Sequence, residues 1–152
     1  MINMFLDGSC QSGQGGVAFV VKTNDGEVLC EYHNFIGPAT NNVAEYVALL
    51  AALDWCLANG ADVVNIYSDS ELLVRHMSGE YNVKAHHLLH LAYQIKAKID
   101  NLKSVTISHI HREDNELADL LAKRAVEIRQ PYMKYFNRKR LRMEIADANS
   151  ST

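Results

Sequence analysis

Short apolar runs separated by glycine, asparagine and aspartate fill the first quarter of the chain and predict three strands. The runs cover residues 2–6, 17–22 and 28–36. The turn sequence Thr23-Asn24-Asp25-Gly26 lies between the second and third runs, and Gly37-Pro38-Ala39 ends the third. Strands joined by turns this short usually pair antiparallel. The pattern therefore predicts an antiparallel meander of three strands.

After residue 40 the pattern alternates between helices and strands. Helices are predicted over residues 43–57, 72–77, 86–99 and 117–128, and strands over residues 63–67 and 105–110. Such alternation is typical of parallel strands connected by helices. The sequence thus predicts an α/β domain, and 152 residues suffice for one domain with its own core.

An acidic residue follows the first apolar run directly, in the segment Met4-Phe5-Leu6-Asp7-Gly8-Ser9-Cys10. If this strand is central, Asp7 lies at the edge of the sheet where α/β folds usually bind ligands. Asp-Gly is also a common type I′ hairpin turn. The glycine-rich stretch after Cys10 does not look like the second strand of such a hairpin, yet this segment alone leaves both interpretations open.

Three further carboxylates each have a structural explanation. Glu45 forms a capping-box pattern with Asn42, and Ser68 forms one with Glu71 around Asp69. Asp119 lies in the first turn of the last predicted helix, where the helix dipole favours an acidic residue.

Their positions in the predicted fold nevertheless agree. Asp7 and Asp69 follow strands, whereas Glu45 and Asp119 lie in the first turns of helices. If the two strands are parallel neighbours, all four carboxylates converge, and they repel one another unless cations lie between them. Hard oxygen ligands suit Mg²⁺, and two such ions ~4 Å apart form a clamp for displacement at phosphorus.

Composition narrows the class of protein. Apolar residues make up 48% of the chain, yet no apolar run reaches the length of a membrane span, and no secretion signal precedes the first strand. Cys10, Cys30 and Cys56 are widely spaced, which favours reduced thiols over disulfides or a zinc site. We therefore expect a cytoplasmic protein without a membrane partner. His86, His87 and His90 have no acidic or cysteine partner at ligand spacing and are expected on a solvated helix face.

The charge is distributed unevenly along the chain. Residues 131–152 carry five basic and two acidic side chains, a charge of +3. Since the net charge of the chain is −3, the first 130 residues carry a charge of −6. Basic residues interleaved with aromatics over residues 134–142 suit phosphate contacts and base stacking. The alternative is a solvated extension. We expect a domain over 1–130 and a basic extension over 131–152, with residues 149–152 disordered.

Four blocks of the sequence together carry a family resemblance. They are Asp7-Gly8-Ser9-Cys10, Thr40-Asn41-Asn42 with Ala44-Glu45-Tyr46, Ser68-Asp69-Ser70, and Asn115 with Ala118-Asp119. In this order and spacing they resemble the signature blocks of type 1 ribonucleases H over residues 2 to about 129.

The resemblance implies a ribonuclease H-like fold, with a mixed five-stranded sheet of three antiparallel and then two parallel strands, and helices on both faces. It implies endonucleolytic hydrolysis of the RNA strand of RNA–DNA hybrids by two Mg²⁺ ions, with Mn²⁺ as a substitute. The products would carry 5′-phosphate and 3′-hydroxyl ends. The partner is the hybrid, and no obligate protein partner is evident.

The resemblance also implies roles for single residues. Asp7 would bridge both metal ions, Asp119 would help hold the ion at the attacking water, and Glu45 and Asp69 would hold the ion at the leaving oxygen. The substrate-binding residues would be Gly8, Ser9, Cys10, Ser12, Thr40, Asn41, Asn42 and Ser70. Contacts to ribose 2′-hydroxyls are how such a site distinguishes RNA from DNA.

Some positions depart from the family pattern. Many members have a histidine in the loop before the last acidic residue, whereas Arg112 stands seven residues before Asp119 and resembles a subgroup with arginine there. We favour Arg112 as the auxiliary catalytic residue over its neighbour His111. The tryptophan- and lysine-rich helical protrusion of some members is missing. A pocket that binds a DNA-strand phosphate normally combines threonine with arginine and asparagine; Thr40 matches, but Pro38 and Ala85 stand where the other two are expected. We therefore expect substrate binding that is weaker or placed elsewhere.

Three rival interpretations remain. A proofreading exonuclease of the same superfamily would prefer Asp-x-Glu on the first strand, and Asp7-Gly8-Ser9 lacks the second acid. A transposase-type nuclease is a second rival. A non-catalytic nucleic-acid-binding module is a third, although four intact carboxylates would then repel one another without an evident purpose.

Overall fold

A computed structural model describes residues 1–150 of the chain. It contains six strands: β1 (Ile2–Gln11), β2 (Gln14–Lys22), β3 (Val28–Pro38), β4 (Val63–Ser68), β5 (Ser104–His109) and β6 (Tyr132–Tyr135). The helices are α1 (Asn41–Asn59), α2 (Glu71–Met77), α3 (His86–Asp100), α4 (Glu116–Ile128) and α5 (Arg138–Ser150). A short 3₁₀ turn, Arg112–Asp114, precedes α4.

The strands form one mixed sheet in the order β5-β4-β1-β2-β3-β6. The antiparallel meander of β1, β2 and β3 is confirmed, and β4 and β5 extend it in parallel on the other side of β1. The expected five strands were one too few. β6 pairs antiparallel with β3 and forms the sixth strand.

The first strand is twice as long as the apolar run that predicts it. β1 continues through Asp7 and Gly8 to Gln11, so the hairpin interpretation of Asp7-Gly8 is wrong. The turn to β2 lies instead at Ser12 and Gly13, whose φ angles of 51° and 75° are those of a tight type I′ hairpin. Gly15 and Gly16 of β2 pair with Cys10 and Ser9 of β1, so the glycine-rich stretch is part of a paired strand.

The core is divided between the two faces of the sheet. The larger cluster lies between one face and α1, which is buried on most of its circumference and carries Tyr46, Leu49 and Leu53 at 0% exposure. The smaller cluster lies under α4 on the other face, around Ala18 and Leu121. Helices on both faces are therefore confirmed.

The C-terminal segment is part of the sheet and its core. The hydroxyl of Tyr135 in β6 accepts a hydrogen bond from Trp55 Nε1 at 3.1 Å. Leu141 of α5 is 4% exposed and belongs to the larger core cluster. The side chain of Asn149 accepts a hydrogen bond from the Asp62 amide and donates one to Gly60. The expected solvated extension and a disordered end at Asn149 and Ser150 were therefore wrong. Residues 151–152, which we also expected to be disordered, lie outside the described residues.

None of the helices within residues 1–150 combines the length and the apolar surface needed to span a lipid bilayer.

Candidate active site

Asp7 and Asp69 lie together because of the register between β1 and β4. The parallel ladder ends with the pair Leu6 and Ser68, so the next residue on each strand leaves the ladder at the same edge of the sheet. Asp7 still pairs with Ala18 of β2 and is only 4% exposed. The fold therefore places one buried carboxylate beside a half-buried one, as the sequence predicts.

Glu45 completes a cluster of three carboxylates. Ligand oxygens of Asp7, Glu45 and Asp69 all lie within 4.8 Å of one another. Within residues 1–150 this is the one group of three or more potential metal ligands so close together. His86, His87 and His90 belong to no such group and are exposed on α3, in agreement with the expected solvated face.

The capping interpretations of Glu45 and Ser68 were wrong. The N-cap of α1 is Thr40, whose hydroxyl accepts a hydrogen bond from the Val43 amide at 3.2 Å. The N-cap of α2 is Ser70, which accepts one from the Leu73 amide at 3.2 Å. Because Thr40, two residues before Asn42, caps α1, the carboxylate of Glu45 is available to face Asp7.

Gly8 allows α1 to approach β1 closely enough for this contact. A Cβ atom at Gly8 would lie 2.3 Å from the carbonyl carbon of Ala44 and 2.4 Å from the amide nitrogen of Glu45. The Gly8 amide donates hydrogen bonds to Asp7 Oδ1 at 3.0 Å and to Glu45 Oε2 at 3.3 Å. Gly8 thus lets backbone atoms of α1 come close, and it links two of the carboxylates.

Burial and mutual repulsion raise the pKa of two of these carboxyl groups well above its usual value. Burial, followed by the charges of Glu45 and Asp69, raises the pKa of Asp7 from 3.8 to about 9. Burial and the charge of Asp69 raise the pKa of Glu45 from 4.5 to about 8. A group of carboxylates that cannot all ionise together is what a bound divalent cation would relieve.

Asp119 reaches this cluster from α4. Lys123 donates a hydrogen bond at 3.0 Å to Asp119 Oδ2. Burial alone would raise the pKa of Asp119, but the interactions with Lys123 and Asp7 and the charge of Arg112 lower it below its usual value. Asp119 therefore ionises more readily than Asp7.

Asn115 holds Asp69 in place, although the sequence did not predict it to be a site residue. Its side chain is 2% exposed, and Nδ2 donates to the Leu6 carbonyl at 2.7 Å and to Asp69 Oδ2 at 3.3 Å. The position before α4 reads as an N-cap, but the side chain makes no capping bond. It joins β1, the end of β4 and α4 instead, a long-range contact that no local pattern reveals.

Arg112 lies in the 3₁₀ turn before α4, and its charge lowers the pKa of both Glu45 and Asp119. The neighbouring His111 stacks edge-on against His109, with ring centroids 6.2 Å apart. Arg112 thus interacts electrostatically with the cluster, whereas the described contact of His111 points back along β5.

The expected substrate-binding residues fall into two groups. The tip of the β1–β2 hairpin and the start of α1 lie side by side, because the Ala39 amide donates to the Gly13 carbonyl at 3.0 Å and Cys10 Sγ donates to the Ala39 carbonyl at 3.0 Å. This surface carries Gly8, Cys10, Ser12, Thr40, Asn41 and Asn42. Ser9 pairs instead with Gly16, against which α4 packs, and is 9% exposed. Ser70 adjoins Asp69 but caps α2.

The donor set of the cluster fits Mg²⁺ or Mn²⁺. All the grouped ligands are carboxylate oxygens, which hard divalent cations prefer, and neither nitrogen nor sulfur is among them. Burial and mutual repulsion raise the pKa of Asp7 and Glu45 although the charge of Arg112 acts in the opposite direction on Glu45, and a bound divalent cation would stabilise the ionised oxygens.

Sequence comparison places the chain among known proteins. Residues 5–125 match a family model described as reverse transcriptase-like. A ribonuclease HI of Halobacterium salinarum is 30% identical over 128 residues, which cover 83% of this chain and 64% of the relative. A bifunctional protein of Mycobacterium tuberculosis is 40% identical over 116 residues, covering 76% of this chain and 32% of that protein. The chain thus spans between a third and two thirds of these curated relatives.

Structure comparison gives the same grouping. The solved structure of LC11-RNase H1 in complex with an RNA/DNA hybrid is 32% identical, with a TM-score of 0.80. The match covers 84% of this chain and 98% of that one. The similarity therefore extends over nearly the whole length of that chain.

Proposed function

The chain belongs to the type 1 ribonuclease H family, and from this premise we propose that it is a ribonuclease H, which cleaves the RNA strand of RNA–DNA hybrids. The observation that carries the proposal is the cluster of Asp7, Glu45 and Asp69 with oxygens within 4.8 Å. A binding module without catalysis has no use for buried carboxylates held in mutual repulsion.

Asp7, Glu45, Asp69 and Asp119 would hold two Mg²⁺ ions, which supply a water nucleophile at neutral pH and neutralise charge at the phosphate. Cleavage would leave 5′-phosphate and 3′-hydroxyl ends. Bound cations would favour the ionised forms of Asp7 and Glu45, whose pKa values burial and mutual repulsion raise to about 9 and about 8. Asn115 holds the Asp69 carboxylate, and Lys123 holds that of Asp119.

The surface formed by the hairpin tip and the start of α1 would bind the RNA strand. It offers the side-chain amides of Asn41 and Asn42 and the hydroxyl of Ser12, all of them exposed. Such groups donate to and accept from a ribose 2′-hydroxyl, the group that DNA lacks. We assign Ser9 a weaker role than Cys10 here, because Ser9 is buried on the side of α4.

A cleavage assay tests the proposal. An end-labelled RNA–DNA hybrid is incubated beside RNA duplex and DNA duplex, each with Mg²⁺, with Mn²⁺ and with EDTA. We expect cleavage of the RNA strand of the hybrid alone, only with a divalent cation, and products that a ligase accepts at their 5′-phosphates. Asp69→Asn serves as the inactive variant and Asp100→Asn, on the exposed end of α3, as the matched control. An uncut hybrid with both metals, or equal cutting of DNA duplex, would refute it.

A further inference from the structure

A groove of about 380 Å³ separates the end of α2 from α3, beside the connector between them. It is lined by His76 of α2, by Tyr81 and Asn82 of the connector, and by Tyr93 and Lys96 of α3. The cleavage site described above uses none of these side chains. The groove lies at the C-terminal end of α2, whereas Asp69 precedes its N-terminal end, and seven residues at a rise of about 1.5 Å each give α2 a length of roughly 10 Å.

His76 lies at the inner wall of the groove. The residue is 5% exposed, and Nδ1 is hydrogen-bonded to the hydroxyl of Tyr46, which is completely buried. Nε2 forms no hydrogen bond with the described residues. When the Tyr46 hydroxyl donates to Nδ1, Nε2 carries the ring proton and is an N–H donor for an occupant of the groove.

Two tyrosines give the groove aromatic walls. Tyr93 is 66% exposed and Tyr81 is 41% exposed, which is high for such large side chains. Tyr81 is nevertheless held in place, because its hydroxyl accepts a hydrogen bond from Arg75 Nη1 at 3.0 Å and the guanidinium lies over its ring. Exposed, oriented aromatic rings are surfaces on which a planar base can stack.

The charge of the lining is positive. No acidic side chain is among the residues that line the groove, and Lys96 forms no ion pair in the part of the chain that the structure describes. The acidic neighbours Glu71 and Glu80 are both paired with Arg75. An anionic group in the groove would therefore meet the unpaired ammonium of Lys96 and the Nε2 atom of His76, which no described residue uses.

We propose that this groove binds a single unpaired nucleotide, with its base against Tyr81 and Tyr93 and its phosphate at Lys96 and His76. A nucleoside monophosphate combines the planar aromatic body and the anion that the lining offers. The nucleotide comes either as a free mononucleotide or as part of a single strand. The site is separate from the carboxylate cluster and binds without a divalent cation.

Binding of adenosine 5′-monophosphate to the full chain in EDTA tests the proposal, with imidazole NMR signals and calorimetry as readouts. We expect the His76 ring signals to shift on titration, and adenosine or inorganic phosphate alone to bind several-fold more weakly. Lys96→Gln should weaken binding about threefold to fivefold, the range of one exposed ion pair. Lys98→Gln makes the same charge change on the same helix outside the groove and should bind as the parent does.

Tyr93→Ala removes an exposed ring without disturbing the core and should also weaken binding. A short single-stranded oligonucleotide that binds more tightly than the mononucleotide, through Lys96 and Tyr93, identifies a strand as the source, and a weaker one identifies the free nucleotide. The proposal is overturned if no binding is seen with adenosine 5′-monophosphate at about 10 mM, a concentration that would reveal even a weak site. It is also overturned if the Lys96→Gln, Tyr93→Ala and parent proteins bind the nucleotide with equal affinity. Phosphate that binds as tightly as the nucleotide overturns it as well.

Discussion

Asp7 shows how a single side chain gives up stability for function. Burial and the charges of Glu45 and Asp69 raise its pKa to about 9. Without a bound cation, the ionised form of Asp7 is therefore less favourable in the folded protein than in the unfolded chain. A group with a raised pKa stabilises the fold fully below its unfolded value near 3.8, and this contribution is lost as the pH rises towards 9. The same sign holds for Glu45 up to about pH 8.

Asp7→Asn should therefore abolish cleavage while leaving the fold intact. In EDTA we expect the melting temperature of the parent protein to fall between pH 5 and pH 9, and that of Asp7→Asn to fall less and to be equal or higher at pH 8. Thermal melts over this pH range measure both, with the exposed Asp100→Asn as control. A lower melting temperature of Asp7→Asn at pH 8, or residual activity above about a tenth of the parent, would contradict the assignment.

The choice between Arg112 and His111 as the auxiliary catalytic residue also belongs to the level of single residues. Arg112 is exposed, yet its charge lowers the pKa of Glu45 and Asp119. If it acts at the nucleophile or at the product phosphate, Arg112→Ala should lower kcat about tenfold or more with little change in KM. His111→Ala should be nearly silent. Steady-state kinetics on the hybrid give the answer, and the reverse pattern would make His111 the auxiliary residue.

Single residues also show which parts of the site could be predicted from the sequence. Asp7, Glu45 and Asp69 could be predicted because each stands next to a recognisable strand end or helix start, and the structure brings these three together. Asn115 could not be assigned its role, since its bonds to Leu6 and Asp69 span 109 and 46 residues. The fourth sequence block includes Asn115, but the block does not show that the side chain binds Asp69 instead of capping α4.

At the level of elements, glycines decide how closely helices approach the sheet. A Cβ at Gly16 would lie 2.2 Å from the Ala122 carbonyl oxygen of α4, just as one at Gly8 would meet Ala44 of α1. The sequence pattern shows a glycine-rich stretch and suggests a loop there. Apolar periodicity could not show that these glycines lie in paired strands. Glycine is needed there because the backbones of α1 and α4, which are distant in sequence, pack directly against the sheet.

Gly8→Ala should displace α1 and with it Glu45. The clash is with backbone atoms that cannot rotate away, so we expect a loss of about 1–3 kcal/mol in stability and a strong loss of metal-dependent cleavage. Gly26→Ala is the control: φ there is +89°, which strains an alanine, but no atom lies within 4 Å of its Cβ. Chemical denaturation and cleavage assays compare the two variants. Full activity of Gly8→Ala would show that α1 tolerates the shift.

At the scale of the whole molecule, the carboxylates and the basic segment occupy opposite ends of the sheet. Asp7 and Asp69 lie where the parallel ladder of β1 and β4 ends, whereas α5 packs at the start of those strands. The ammonium group of Met1 pairs with Glu144 at 2.7 Å, and Asn149 binds the Asp62 amide just before β4. The sequence suggests an extension because α5 is mostly polar, and its two buried residues, Leu141 and Ala148, are too few to mark it as core.

This placement changes what removal of the segment should do. Truncation after Gln130 deletes β6 and α5, uncovers the completely buried His33, which stacks on Tyr132, and breaks the ion pairs of Arg140 with Glu27 and Asp25. We expect the truncated protein to lose several kcal/mol of stability, enough to unfold a marginal domain. Thermal melts show this directly.

The charges of the segment are tested separately, with the fold kept intact. Lys139 and Arg142 are exposed and form no ion pair within residues 1–150, so Lys139→Gln/Arg142→Gln removes two cations without breaking a contact. If these cations neutralised two phosphates of the hybrid, the slope of log affinity against log salt would fall by about 1.8, at roughly 0.9 per contact as for B-DNA. Because α5 lies at the far end of the sheet, we expect the slope and KM to stay those of the parent protein. A fall by about two would mean that the hybrid reaches around the sheet to α5.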